Sequence, residues 1–464
     1  MMKHALPLEK KQERRQFYRM TARLTLPIVL QNFMDTAVSA ADVVMLSFVS
    51  QTALAASSLA SQVQFVLSMI FYGLSGGTAV LTAQYWGKGD TGTIEKVMGI
   101  AIRTTILISM VFALAAWFAP GALMRIFTDD AELIAAGIEY LRAVGAAYVL
   151  NGFCTIYLCS MRSVERVVMS ATVHCMAVVL NVVLNACFIF GVGFFPAMGI
   201  AGVALATSIT RAVEVGICLI DNALQKIANV RVKHIFGRYP QLTRDFFRYA
   251  LPSMGNDMVW GMAFTMYSVI LGHLSSDVVA ANSLTTTVRN LGTVVCFGCS
   301  SSAAIILGKA MGDNRLEDAK RYAGRLARLS IYTAIVGGAV VLLLRPLLLN
   351  MTGSGYFKLS AQAKEYFSTM LFITSYYILG QSVNTMLICG IYRSGGDVKF
   401  GLYTDLCAMW LYAVPVGFIS AFVLKLPPMG VYFILCLDEF VKMPVVIRHY
   451  FKYGWLKNIT REDV

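Results

Sequence analysis

The 464-residue chain contains one long stretch twice. A shift of 225 residues lays positions 251–284 on positions 26–59 without a gap. Leu26-Pro27 meets Leu251-Pro252, Leu46 meets Leu271, and Ala55-Ala56-x-Ser58-Leu59 meets Ala280-Ala281-x-Ser283-Leu284. Gly87 falls on Gly312 at the same shift, so the register holds through two long apolar segments. Later pairs follow with small slips. Pro120 meets Pro346 and Glu139-Tyr140 meets Glu365-Tyr366 at a shift of 226, and Arg162-Ser163 meets Arg393-Ser394 at 231. Soluble enzyme domains are not usually built by such a duplication, whereas many secondary transporters are.

Composition agrees with a membrane setting. The chain is 57% hydrophobic and 14% charged, against about 25% charged in soluble domains. Its net charge of +13 would elsewhere suggest nucleic acid. Here the basic residues sit in short loops and at the termini, and no basic face with interleaved aromatics exists, so no nucleic-acid partner is expected. The ten cysteines lie mostly inside apolar segments, as small buried hydrophobes do. Cys296 and Cys299 form a CxxC in mid-span, with no second pair to make a metal site. The sequence contains no GxxxxGK[ST], HExxH or triad pattern, which argues against an enzyme. No cofactor is implied, and no cleavable leader is expected at the basic N-terminus.

A spanning helix needs about 20 mostly apolar residues. Twelve segments qualify: 24–50, 53–85, 97–118, 133–158, 168–192, 198–220, 246–271, 278–307, 326–349, 364–391, 400–424 and 427–450. The predicted class is therefore an all-α polytopic membrane protein with twelve transmembrane helices in two pseudo-symmetric six-helix lobes. Residues 1–23 form an N-terminal tail, 24–220 the N-lobe, 221–245 a basic linker, 246–450 the C-lobe and 451–464 a C-terminal tail. Lys3, Lys10, Lys11, Arg14 and Arg15 begin a run of basic segments that recurs at every second loop. That pattern predicts both termini in the cytoplasm and a place in the cell (inner) membrane. Membrane lipids are its surroundings, and we expect a monomer.

Ionisable residues at membrane depth are costly and by default functional. Asp35 and Asp42 lie seven residues apart on the first span, nearly two turns, so they share a side of the helix. On the fifth span Asn181 and Asn185 stack at i,i+4. Thr207 of the sixth span reaches the same depth in the outer half. Asp42, Asn181, Asn185 and Thr207 thus make a level ring of oxygens if the first, fifth and sixth spans meet. Such a ring suits Na⁺, and a lone carboxylate suits a proton; interhelical hydrogen bonding is the structural alternative. Asp257, mid-span in the seventh helix, matches Asn32 under the repeat. Arg289 in the eighth span needs an anionic partner or a wet cavity, and Asp257 is one candidate. Asp438 and Glu439 lie midway along the twelfth span, where Lys442 offers an internal ion pair, while Asp405 reads as solvated. His174 could titrate near neutral pH, though a lone histidine is more often a bonded structural group, and Gly73-x-x-x-Gly77 reads as a close helix contact.

In order along the chain, LPIVLQN…AADVVMLSFVSQTALAA, TAQYWGKGD, MRSVERV, NVVLNACFIFG with GIAGVALAT, LPSMGND and RSGGDVKFGLYTDL resemble the multidrug and toxic compound extrusion (MATE) family, bacterial type. The resemblance runs over nearly the whole length. It implies two six-helix lobes around a central cleft. It also implies secondary active efflux of cationic amphipathic drugs by alternating access, in exchange for Na⁺ or H⁺. Under it Asp42 falls on the first-helix acid of the N-lobe cation site, and Asn181 and Thr207 on its partners. Asn185 stands where some members have Asp, leaving Asp42 the sole carboxylate of that ring. Asp257 falls on a seventh-helix acid used for coupling or for the cationic substrate, a role open to Asp35 and Arg289 as well. The rival within the superfamily is a lipid-linked or polysaccharide-precursor flippase, which would favour a cationic cleft. A passive channel and a non-transporting receptor are rivals of other classes.

Overall fold

The computed structural model describes residues 5–47, 51–191, 196, 198–351 and 359–462, with side chains throughout except at 5–11, 39–44, 46–47, 51–54 and 351. Among the described residues the regular structure is entirely helical. That follows from the apolar runs, because backbone N–H and C=O groups facing hydrocarbon have to bond within their own segment.

The first half comprises α1 (Ala5–Ser47), α2 (Gln51–Lys88), α3 (Thr91–Phe118), a short α4 (Pro120–Arg125), α5 (Ala131–Ser163), α6 (Val167–Phe190) and α7 (Gly199–Leu224). The linker contains α8 (Val232–Phe236). The second half comprises α9 (Pro240–Gly272), α10 (Ser276–Gly312), α11 (Leu316–Met351), α12 (Ala361–Thr385), α13 (Val398–Asp405), α14 (Val414–Phe418), α15 (Pro428–Leu435) and α16 (Asp438–Phe451). Among the described residues, eight helices are long and apolar enough to cross a membrane by length and composition alone. Segments α1, α9, α12 and the α15–α16 pair complete the twelve. Side-chain caps set several starts: Asp90 accepts from the Thr93 amide at 2.9 Å, Asp130 from the Glu132 amide at 2.9 Å and Ser360 from the Ala363 amide at 3.0 Å. Phe118 and Leu343 are 82% and 76% exposed, an outward apolar surface that suits lipid rather than water.

Three features lie beyond the periodicity. The first helix begins at Ala5, so helix runs on through the basic N-terminal segment. Glu13 meets Arg325 there at 3.2 Å, and Phe17 stacks on Tyr322 with ring centroids 4.9 Å apart. The tenth and eleventh spans contain π-helical stretches at Met386–Tyr392, Leu406–Ala413 and Ile419–Val423. The twelfth span is interrupted at Cys436-Leu437, between α15 and α16.

The chain forms two compact units, Met1–Val29 with Gly255–Ile459 and Leu30–Met254 with Thr460–Val464. The divisions fall just after Pro27 and Pro252, repeat-related prolines inside α1 and α9, each of which removes one helical hydrogen bond. In the first unit Thr25 and Ser302 hydroxyls bond at 2.7 Å, and a Cβ on Gly298 would stand 2.5 Å from Val29 Cγ2. Tyr267, Tyr377 and Tyr432 help fill its core. In the second unit a Cβ on Gly73 would stand 2.1 Å from Met254 Cα, and one on Gly77 2.6 Å from Ala250 Cα. The two glycines let α2 and the start of α9 touch backbone to backbone. Glu95 of α3 fixes the linker, accepting from the Asn229 amide at 3.0 Å and pairing with Arg231 at 3.1 Å.

Candidate functional site

The amide pair of α6 behaves as its spacing requires. Asn185 Nδ2 donates to Asn181 Oδ1 at 3.2 Å, and Asn181 Nδ2 donates to Thr207 Oγ1 of α7 at 3.4 Å. Thr207 in turn donates to the Val203 carbonyl at 3.0 Å. Three of the four expected ring residues therefore meet. The Asp42 side chain lies outside the described residues.

Asp35 does not stand alone. Its Oδ1 lies 2.6 Å from Nε2 of His174 on α6. The other ring nitrogen of His174 is 3.4 Å from Oε1 of Glu214, whose Oε2 accepts from Arg211 at 2.5 Å. Glu214 is fully buried, His174 is 14% exposed and Asp35 is 48% exposed. His174 is thus bonded, as expected, and belongs to a four-residue charged cluster on three helices.

In the other unit a second network joins α9, α12, α13 and α16 with Arg393, which precedes α13. Arg393 reaches Asp257 at 3.1 Å and Asn256 Oδ1 at 3.3 Å. Asn256 Nδ2 donates to Asp405 at 2.7 Å, and Lys442 bonds Asp405 at 2.8 Å and Glu439 at 3.0 Å. Asn384 Nδ2 donates to Glu439 at 2.8 Å, and the Tyr267 hydroxyl donates to Asp438 at 3.0 Å. The acids of α16 lie at its first turn, where Asp438 Oδ1 accepts from the Glu439 amide at 2.8 Å. A helix N-terminus favours negative charge, so the interruption of the twelfth span and its two acids support each other.

Two expectations are corrected. The partner of Asp257 is Arg393, not Arg289. Arg289 lies instead over Phe264 and Tyr377, 4.6 and 5.8 Å from their ring centroids, beside a small cavity that Asn282 and Tyr432 also line. Aromatic faces accept a guanidinium as a carboxylate does, and sequence order does not say which arginine reaches α9. Asp405 is buried, at 4% exposure, because Lys442 and Asn256 replace the water it would otherwise need. The pairing of Glu439 with Lys442 agrees with expectation.

The two networks are related by the repeat with their charges reversed. The offset that lays Arg162-Ser163 on Arg393-Ser394 also lays His174 on Asp405. Aligning Gly202-Val203 with Gly430-Val431 lays Arg211 on Glu439 and Glu214 on Lys442. Base–acid–base in one half is acid–base–acid in the other. One contact is kept in kind: Arg162 reaches Gln31 Oε1 at 3.4 Å, as Arg393 reaches Asn256, the repeat counterpart of Gln31. Sequence reading missed Glu214, Arg211, Asn256 and Arg393 as members of these clusters. The duplicated arginine and the charged i,i+3 pairs inside apolar spans were the available signals.

Comparison with known proteins follows the same duplication. The MatE family model matches residues 27–187 and again 252–419. The uncharacterized transporter YisQ of Bacillus subtilis (strain 168) is 23% identical over 444 residues, 94% of each chain. A probable multidrug resistance protein NorM of Rhizobium meliloti (strain 1021) is 23% identical, with 88% of this chain and 87% of its own covered. A solved structure described as an outward-facing conformation of a multidrug resistance MATE family transporter of the MOP superfamily matches with a TM-score of 0.85 at 18% identity. It covers 94% of this chain and 96% of its own, a likeness of fold. A family model that matches both halves, over a twelve-span all-helical fold, leads to one conclusion: this chain belongs to the MatE family of membrane transporters.

Proposed function

We propose that the chain is a secondary active efflux antiporter. It expels cationic amphipathic compounds in exchange for Na⁺ or H⁺ by alternating access of two lobes, 24–220 and 246–450, joined by the basic linker at 221–245. The observation that carries the reading is Asp35, a half-exposed carboxylate on the first spanning helix, in a chain whose relatives include proteins named for probable multidrug resistance. An accessible carboxylate in a low-dielectric setting attracts an organic cation strongly, and apolar contacts around it give breadth. Asp257 offers a second acid, already neutralised by Arg393. Both termini face the cytoplasm in this reading, and the protein works as a monomer.

Coupling falls to Asp42 with Asn181, Asn185 and Thr207. For Na⁺ these would supply hard oxygens. Asn181 Oδ1 and Thr207 Oγ1 each accept one N–H donor, and each keeps a second lone pair for a cation. A proton needs only the Asp42 carboxylate where Na⁺ needs the whole ring, so H⁺ is the first ion to test.

The test is ethidium efflux from proteoliposomes under separately imposed Na⁺ and H⁺ gradients, with Asp42→Asn alongside. We expect the H⁺ gradient to drive efflux and Asp42→Asn to fall to the protein-free leak. Efflux driven by Na⁺ alone would make the oxygen ring a metal site. If neither gradient drives it, the antiporter reading fails.

A further inference from the structure

The two nitrogens of His174 face two different carboxylates, Asp35 from α1 and Glu214 from α7. A neutral imidazole has one N–H donor and one lone pair. In either tautomer, one carboxylate would then confront a lone pair. The imidazolium turns an N–H toward both, bonding Asp35 at 2.6 Å and pairing with Glu214 at 3.4 Å. Glu214 Oε1 is buried, has no other hydrogen-bond partner and lies within ion-pair distance of Nδ1 at 3.4 Å, while Arg211 occupies Oε2.

Counting charges gives the same answer. With an imidazolium, Asp35, Glu214, Arg211 and His174 sum to zero; with a neutral ring they sum to one negative charge at membrane depth, which is costly. A further cation, Arg162 of α5, stands outside this sum, bonded to the neutral Gln31 and Ser170 one turn before Asp35 and His174. Cys154 of α5 lies near Glu214, and Cys175 neighbours Asp35 on the histidine's own helix. Only Asp35 is open to a ligand, at 48% exposure against 14% for the ring and none for Glu214.

Resting on the efflux reading above, we propose that His174 carries an exchangeable proton and that an organic monocation pairing with Asp35 releases it. The cluster has room for one extra positive charge, held either as the Nε2–H proton or as the bound cation. When the cation arrives, the Nε2–H bond breaks, its electron pair stays on the nitrogen and the proton leaves to water. Nothing is oxidised or reduced. The charge-reversed cluster of the other half has no such capacity. Its central Lys442 is 3% exposed and its acids Asp405 and Glu439 are 6% and 2% exposed, so no ligand reaches it.

The test uses the full chain in lipid nanodiscs, ethidium as the probe and a pH dye in weak buffer near neutrality. Wild type is expected to release a proton for each ethidium bound. His174→Gln is expected to bind ethidium and release none, and Asp35→Asn to lose the linked release. Nitrogen-15 spectra of ring-labelled wild type give a reading free of any mutation: two N–H protons on His174 without ligand, one with ethidium bound. A ring that is neutral without ligand overturns the inference, as does proton release from His174→Gln equal to wild type. If ethidium does not bind while the ring is charged, the drug-efflux reading fails and the exchange fails with it.

Discussion

Lys442 holds two buried carboxylates at once, Asp405 at 2.8 Å and Glu439 at 3.0 Å. Removing it strands both. Lys442→Ala should therefore cost about 3–5 kcal/mol, the usual result of leaving a buried charge unpaired. A thermal-unfolding series in detergent would read this as a lowered midpoint. Lys442→Met combined with Asp405→Leu and Glu439→Leu should recover most of it, because desolvation of the charges offsets much of what their pairing contributes. A triple variant as unstable as Lys442→Ala would mean that shape, not charge, holds the site. Sequence alone marked Asp257, Arg289, Glu439 and Lys442 as depth-placed charges, since an ionisable residue inside an apolar run is visible without a structure. It paired Glu439 with Lys442, but for Asp257 it offered Arg289 where the partner is Arg393. Asp405 read as a solvent group, and only packing of α9 against α13 and α16 makes it a buried partner of Asn256 and Lys442.

Among helices, the contact of α2 with α9 depends on two missing side chains. A Cβ on Gly73 would fall 2.1 Å from Met254 Cα, a backbone atom with no rotamer to yield. Gly73→Ala should destabilise by about 1–3 kcal/mol through overpacking. Gly216 on α7 is the control: nothing lies within 4 Å of its added Cβ. There, Gly→Ala should stabilise by about 0.8–1.0 kcal/mol from helix propensity. Equal effects at the two sites in one unfolding assay would show that packing does not govern the first. The Gly73-x-x-x-Gly77 spacing announced a close contact, but not with which helix. The interruption after Leu435 was not announced at all, because no Gly or Pro marks it and the apolar run continues across it. The only hint was Asp438-Glu439, acids suited to the start of a helix.

In the whole chain, the compact units do not follow the order of synthesis. Met1–Val29 belongs with Gly255–Ile459, so residues 240–464 expressed alone lack the stretch that covers Gly298 and bonds Ser302. We expect that fragment to aggregate in detergent and to co-purify as a stable complex when 1–239 is co-expressed. A monodisperse, heat-stable C-terminal fragment would contradict the assignment. What the sequence determined is what repeats or counts locally: the duplication, the helical class, twelve apolar runs, the amides of α6 on one face and the acids at depth. Each of these is set by spacing along one helix or by the cost of exposing polar backbone to lipid. What only the tertiary structure decided is which distant charges meet, that the two halves hold the same cluster with signs reversed, and that His174 sits between two carboxylates. Those facts depend on the rotation and register of helices separated by many residues, and periodicity within one helix does not encode its azimuth against another.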